Sequence, residues 1–342
     1  MPDADVAYRR LRAQRLIGKG FNTPADVVRW FGAVQAQDYA GALWAVGLRT
    51  TGATEADVEQ ALIDRTIVRT WPLRGTLHFV AAEDVRWMIK WFAPDVIRRQ
   101  ARRFRQYGFE ERTFARSAAV FVKALEGGRR LSRPQLYALL ERAGIATGGN
   151  RGLQILFRCA HDGLLCFGAR EGKQPTFALL EEWVPKAKAL DRDEALAELA
   201  RRYFTSHGPA TLQDFAWWSG LSAADARRAI EAAGAVPHAA PRTSHRPRHA
   251  VLLPPYDEFT IAYRDRGAVL DLKHAAAARN GIFSPTILLD GRITGLWARR
   301  LTRDAVTVEL QPFVTLTATQ SRGLQAAAAR YGRFVGRPVR PR

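Results

Sequence analysis

Two cysteines in 342 residues are too few for a disulfide framework. Cys159 falls in a helix-like stretch and Cys166 in a strand-like one, and their spacing matches no zinc site. Two thiols fit a reducing compartment, so a cytoplasmic protein without structural metal or cofactor is expected. No run of about 18 apolar residues is present, so no membrane span is expected. The opening stretch, MPDADVAYRR, lacks the apolar core of a secretory signal. Phosphate-loop, GxGxxG and GxSxG signatures are also missing, so nothing points to nucleotide, dinucleotide or serine-hydrolase chemistry. Acid is scarce: 33 Asp and Glu stand against 52 Lys and Arg, for a net charge of +19. Lysine is scarcer still, with 7 against 45 Arg. A GC-rich genome accounts for Arg over Lys but not for the excess of base over acid. Arginine offers a rigid fork of donors that matches phosphate, which makes nucleic acid the first partner to consider.

Within this frame, a content of 47% apolar residues supports packed domains, and the length predicts two to four folding units. Residues 5–20 read as a helix with a basic outer face of Arg9, Arg10, Arg12 and Arg15. In NTPADVVRWFGAVQ, Thr23 suits the N-cap and Pro24 the first helical position. GALWAVGL and TEADVEQALID follow as helices, the second capped by Thr54. TIVRTWPLRGTLHFV then turns β-like on both sides of its Pro-Leu-Arg-Gly centre, the signal of a hairpin. Short helices followed by a two-stranded hairpin give the order of a winged helix. The order recurs. Residues 112–126, LSRPQLYALLERAGI and RGLQILFRCAHDGLL are helix-like, and LLCFG and PTFALL flank a polar turn. A third copy contains RDEALAELARRYFTSHG, PATLQDFAWWSGL and SAADARRAIEAAG, with a weak strand signal in AVPHAA. Between the first two copies, Arg86 to Arg105 carry seven basic residues and one acid, a basic connecting helix with a bend expected at Pro94. A basic, Pro-rich linker at 241–249 leads into a β-patterned end that turns at Asp290-Gly291 and closes with a helix.

Several of these segments carry a family resemblance. QAQ after the second helix, RGTLHFV in the first wing, and LLPPYDEFTIAYRDR followed by ILLDGRITGLW resemble the AlkZ/YcaQ group of bacterial DNA glycosylases, a winged-helix family. The likeness runs from about residue 8 to about 335 and implies excision of bulky or cross-linked N7-alkylated purines. The motif Gln35-Ala36-Gln37 matches the two-glutamine branch, though Ala36 is smaller than the usual middle residue. The expected fold is mainly α with β, in three tandem winged-helix units and a C-terminal, barrel-like β unit. The expected boundaries are 1–110, 111–188, 189–240 and 250–342. The expected partner is duplex DNA with alkylated purine adducts, bound by a monomer.

The resemblance also supplies a chemical role for two neutral amides. An N7-alkylguanine is cationic and already a good leaving group, so its departure needs little general-acid help. An amide oxygen accepts from a water and an amide NH2 donates, and neither titrates. Gln35 and Gln37 are therefore the expected catalytic pair, with positioning and electrostatics carrying the rate. Residues i and i+2 diverge on a helix, so both reach one site only in an extended or turning segment. The competing reading has them capping a helix end or touching phosphate. Asp38 is read as the N-cap of the next helix rather than a partner for the sugar cation, and Tyr39 and Trp44 as core. Expected DNA contacts are Arg69, Arg74, Thr76 and His78 in the first hairpin, and Arg98, Arg99, Arg102 and Arg103 on the basic helix. The bland alternatives are an ordinary wing and a solvated charge run. Asp257 and Glu258 form the one acidic pair in an apolar setting, with hydrolytic work the lesser reading. A winged-helix transcription regulator is the non-enzymatic alternative. A self-resistance enzyme directed at one alkylating antibiotic is a variant of the same chemistry.

Overall fold

The computed structural model describes residues 3–234, 249–278 and 281–340. The chain divides into two compact units, one of residues 1–59 and 196–342, the other of residues 60–195. The first unit is thus interrupted in sequence by the second.

The first unit opens with α1 (Asp3–Ala13). It is shorter than the expected helix over 5–20, because Arg15 and Gly18 adopt positive φ and turn the chain away. Arg9 and Arg10 do not form a basic outer face, since both are buried. Arg10 lies 3.5 Å from the centre of the Tyr263 ring and donates Nε–H to the Pro209 carbonyl at 3.0 Å. Arg9 pairs with Asp5 at 3.6 Å. Helix α2 (Pro24–Phe31) starts as expected, with the Thr23 hydroxyl accepting from the Asp26 N–H. Strand β1 (Ala33–Gln35) and α3 (Tyr39–Gly47) follow, and the chain leaves this unit within α4 (Glu55–Ile63).

In the second unit, β2 (Ile67–Leu73) and β3 (Thr76–Ala81) form the predicted hairpin. Arg74 and Gly75 both have positive φ, the two-residue geometry that matches strand twist. Helix α5 (Val85–Gln106) runs through Pro94 as one helix of 22 residues. Next come α6 (Glu111–Leu125), β4 (Leu131–Ser132), α7 (Arg133–Arg142), α8 (Arg151–His161), β5 (Leu165–Glu171), β6 (Gln174–Leu179) and α9 (Leu180–Trp183). Strands of this unit lie in the order β3-β2-β5-β6-β4. Their core is apolar: Phe104, Phe114, Phe121, Leu136, Leu140 and Leu156 are among the buried side chains. Cys159 and Cys166 are free and buried, and burial raises both thiols, Cys159 to about 12.

The chain re-enters the first unit along α10 (Arg192–His207), then forms α11 (Leu212–Ser219) and α12 (Ala223–Ala232). Thr211 and Ser222 cap the last two. The expected strand over 235–240 and the linker up to 248 lie outside the described residues. Beyond them come β7 (Ala250–Leu253), α13 (Glu258–Ile261), α14 (Leu272–Ala275), β8 (Thr286–Leu289), β9 (Arg292–Leu301), β10 (Val306–Pro312), α15 (Ala318–Phe334) and β11 (Val339–Arg340). The strands make a curled five-stranded sheet in the order β11-β10-β9-β8-β7. Asp290 and Gly291, both at positive φ, make the β8–β9 turn. A Cβ on Gly291 would lie 3.0 Å from that of Ala7, so glycine also permits the close approach of α1. Trp44 and Trp297 pack edge-on against Tyr331 of α15, each at 5.1 Å. Their indole N–H groups donate to the Leu252 and Leu253 carbonyls of β7. The fold is mixed α/β, and among the described residues no helix is long and apolar enough to cross a membrane.

Candidate active site

The QAQ segment lies between β1, which ends at Gln35, and α3, which begins at Tyr39. It is not helical, so the condition for two glutamines at i and i+2 to serve one site is met. Asp38 is the N-cap, its Oδ1 accepting from the Gly41 N–H at 2.5 Å. Gly41 has no room for a side chain, because a Cβ there would lie 2.9 Å from that same oxygen. Trp44 is core, while Tyr39 is half-buried with its hydroxyl 3.3 Å from Glu59.

The two glutamines differ in surroundings. Gln35 is buried and Gln37 is exposed. The Gln35 side-chain oxygen accepts from the Gln37 backbone N–H at 2.9 Å. That bond closes a local turn and leaves the oxygen a second lone pair. The Gln35 backbone N–H donates to Glu258 Oε1 at 2.8 Å. Glu258 is buried, and its other oxygen accepts from the Trp218 indole N–H at 2.9 Å and lies 3.5 Å from His207 Nε2.

Around this carboxylate the interior is unusually polar. Arg49 is buried, and its five N–H groups are all used: on the Gln14 carbonyl and side-chain oxygen, on the Ala45 carbonyl, and on both oxygens of Asp257 at 2.8 and 2.9 Å. Asp257 also caps α13 through the Phe259 N–H. Gln14 then donates to the Tyr263 hydroxyl, which donates to the His207 carbonyl. Burial lowers the His207 pKa, and the Glu258 carboxylate opposes that shift. Ser206, His207 and Glu258 stand in a row, yet they are no nucleophilic triad. All three are buried, and the Ser206 hydroxyl donates to the Arg202 carbonyl at 2.7 Å.

A family model described as DNA glycosylase AlkZ-like matches residues 28–334. The chain belongs to this family. The interstrand DNA cross-link repair glycosylase of Streptomyces sahachiroi is 24% identical to it over 329 residues, 84% of this chain and 85% of that relative. The solved structure of Streptomyces sahachiroi DNA glycosylase AlkZ shares the fold, with a TM-score of 0.74 and 22% identity over the full length of both chains. An AlkZ-like protein is a DNA glycosylase, so the search for its catalytic and DNA-binding groups has a defined chemistry.

The remaining candidates of this AlkZ-like chain lie in the second unit, and its hairpin residues are not all surface groups. His78 is fully buried, with Nδ1 donating to the Thr76 carbonyl at 2.9 Å and Nε2 3.4 Å from Arg74 Nη2. Arg69 is buried too, its guanidinium 4.7 Å from the Phe167 ring centre. Both positions therefore build the sheet instead of presenting a DNA-facing group. The two side chains lie on opposite faces of the hairpin, since Arg69 is paired with Phe79 and His78 with Thr70, and both faces are packed there. Arg74 and Thr76 are half-buried at the hairpin tip. By contrast, Arg98, Arg99, Arg102 and Arg103 are exposed on α5. Arg98 pairs with Asp95 one turn back. Arg99, Arg102, Arg103, Gln106 and Tyr107 line an open depression of about 440 Å³. The acidic pair was visible in the sequence only as a pair. Its link to the QAQ segment, across more than 200 residues, left no local signal.

Proposed function

We propose that this chain is a monofunctional glycosylase that hydrolyses the N-glycosidic bond of bulky or cross-linked N7-alkylated purines, mainly guanine, in duplex DNA. The observation that carries this reading is the QAQ segment, a non-helical turn with one glutamine buried and one exposed. Gln35 and Gln37 hold the attacking water. As the C1′–N9 bond breaks, its electron pair neutralises the cationic base, and the water adds to the sugar cation and loses a proton to solvent. The products are a free alkylated base and an abasic site. No lysine neighbours the motif to form a Schiff base, Lys19 and Lys90 being the closest in sequence, so strand cleavage is not expected. The name of the Streptomyces relative supports cross-linked substrates.

On the same reading, residues 1–110, 111–188 and 189–240 are three winged-helix units and 250–342 a sheet unit. The hairpins β2–β3 and β5–β6 support the first two. The α5 arginines then track the phosphate backbone.

The test is single-turnover excision from a duplex with a defined N7-guanine adduct. Gln37→Ala is expected to keep fold and DNA affinity while excision falls about 10²-fold, as when a group acting in the transition state is lost. Gln37→Asp keeps partial activity, because a carboxylate accepts from the same water. Wild-type rates in both Gln35→Ala and Gln37→Ala would falsify the mechanism.

A further inference from the structure

We infer that Glu258 is a positioning residue for the amide pair, acting through the backbone of Gln35. The inference rests on the QAQ reading and extends it to a residue 223 positions away.

Three observations carry it. The contact is direct: Glu258 Oε1 accepts the Gln35 N–H at 2.8 Å, at the last residue of β1 and the first glutamine of the motif. The carboxylate is itself held, since the Trp218 indole donates to its other oxygen at 2.9 Å and His207 Nε2 lies 3.5 Å from it. Its backbone is held as well. The preceding residue, Asp257, is gripped by two Arg49 nitrogens and caps α13, whose first residue is Glu258. The adjacent carboxylates thus divide the work. Asp257 locks the short helix to Arg49, and Glu258 reaches from that helix to the motif.

This arrangement solves a problem specific to amide catalysis. A water-holding glutamine has no charge of its own and works only if its oxygen stands where the water must be. The Gln35 oxygen is already turned onto the Gln37 N–H. Rotation of the Gln35 peptide would therefore move both side chains together. Fixing its N–H with a buried charged acceptor restrains that rotation, and charge-assisted bonds of this kind are the strong ones.

The experiment measures the single-turnover excision rate at saturating enzyme, the affinity for undamaged duplex, and the thermal midpoint. Glu258→Asp retracts the carboxylate by one carbon. Glu258→Gln keeps the reach and removes the charge. Each is expected to slow excision about 10- to 100-fold, the scale of a misplacement near 1 Å. Duplex affinity should stay within about twofold, because phosphate contacts dominate it. In a Gln35→Ala/Gln37→Ala background, Glu258→Gln should leave the residual rate within about twofold, since its target is already gone. A merely structural role would lower that rate again. Should neither variant fold, Trp218→Phe decides, because it withdraws one donor from Glu258 and leaves the carboxylate in place. A severalfold slower rate supports the proposal. A wild-type rate in a folded Glu258 variant, or in Trp218→Phe if those do not fold, overturns it. Failure of the QAQ reading looks different, since the glutamine variants themselves would then excise at the wild-type rate.

Discussion

Arg49 and Arg102 carry the same guanidinium and meet opposite surroundings. In the first unit, Arg49 is enclosed and every N–H has an acceptor within the protein. In the second, Arg102 stands exposed on α5 beside Arg99 and Arg103, above a core of phenylalanine and leucine. The first unit uses charge inside, to tie the QAQ segment, α10, α11 and α13 together. On α5 of the second unit the arginine charge is outside, where it can meet a polyanion. Composition alone treats all 45 arginines as one excess of charge. The structure separates those that hold the fold from those available to a partner, and the two kinds should respond differently to substitution, pH and salt.

The largest contrast is expected in stability. Arg49→Ala leaves the Asp257 carboxylate buried without its partner and should destabilise the protein by about 3–5 kcal/mol, read as a lowered thermal or denaturant midpoint. If Arg49→Ala unfolds like the wild type, the internal charges are not structural ties and the comparison fails.

A second contrast is set by acid, between two buried histidines of lowered pKa, His207 in the first unit and His161 in the second. His161 Nδ1 donates to the Phe157 carbonyl at 2.8 Å, and burial holds the pKa of this side chain at about 4. In the unfolded chain it titrates near the usual value of about 6.5. Between those values the unfolded state binds the extra proton, so this stability is complete above pH 6.5 and lost as pH falls toward 4. The loss amounts to up to about 3 kcal/mol. His207 shifts in the same direction but faces Glu258, which offsets the effect. His161→Phe should therefore flatten the acid limb of stability. An unchanged limb would place the acid sensitivity elsewhere.

The smallest effect on stability, and the clearest on binding, belongs to the α5 arginines. Arg99→Ala with Arg102→Ala should shift stability by no more than about 0.5 kcal/mol. The same pair should reduce the slope of log affinity against log salt by up to about 2, one for each lost phosphate contact. An unchanged slope would make this face solvated surface only.

The local parts of the fold were legible because their signals are local. Thr23 and Thr54 mark helix starts, and Arg74-Gly75 and Asp290-Gly291 mark hairpin turns, through neighbours three residues away or closer. Asp38 followed the same rule. What the sequence did not disclose depends on distant partners. Arg9 and Arg10 looked like a surface pair until Asp5, Tyr263 and Pro209 enclosed them. His78 and Arg69 sit in a hairpin that reads as a wing, but both of its faces are packed at these positions. Gln35 could be named from its motif, while Glu258 could not be linked to it, because no local periodicity spans 223 residues.

The interruption of the first unit bears on how the chain matures. Gln35 and Arg49 leave the ribosome early, whereas Glu258 and Asp257 follow more than 200 residues later. Residues 60–195 carry their own apolar core and can condense in that interval. The QAQ turn must wait, with its neighbouring arginine unpaired, until α13 is synthesised. A nascent chain that stalls before residue 257 therefore lacks both carboxylates of the motif's support. Closing loops of this length is slow, which makes assembly of the QAQ site a late event in folding.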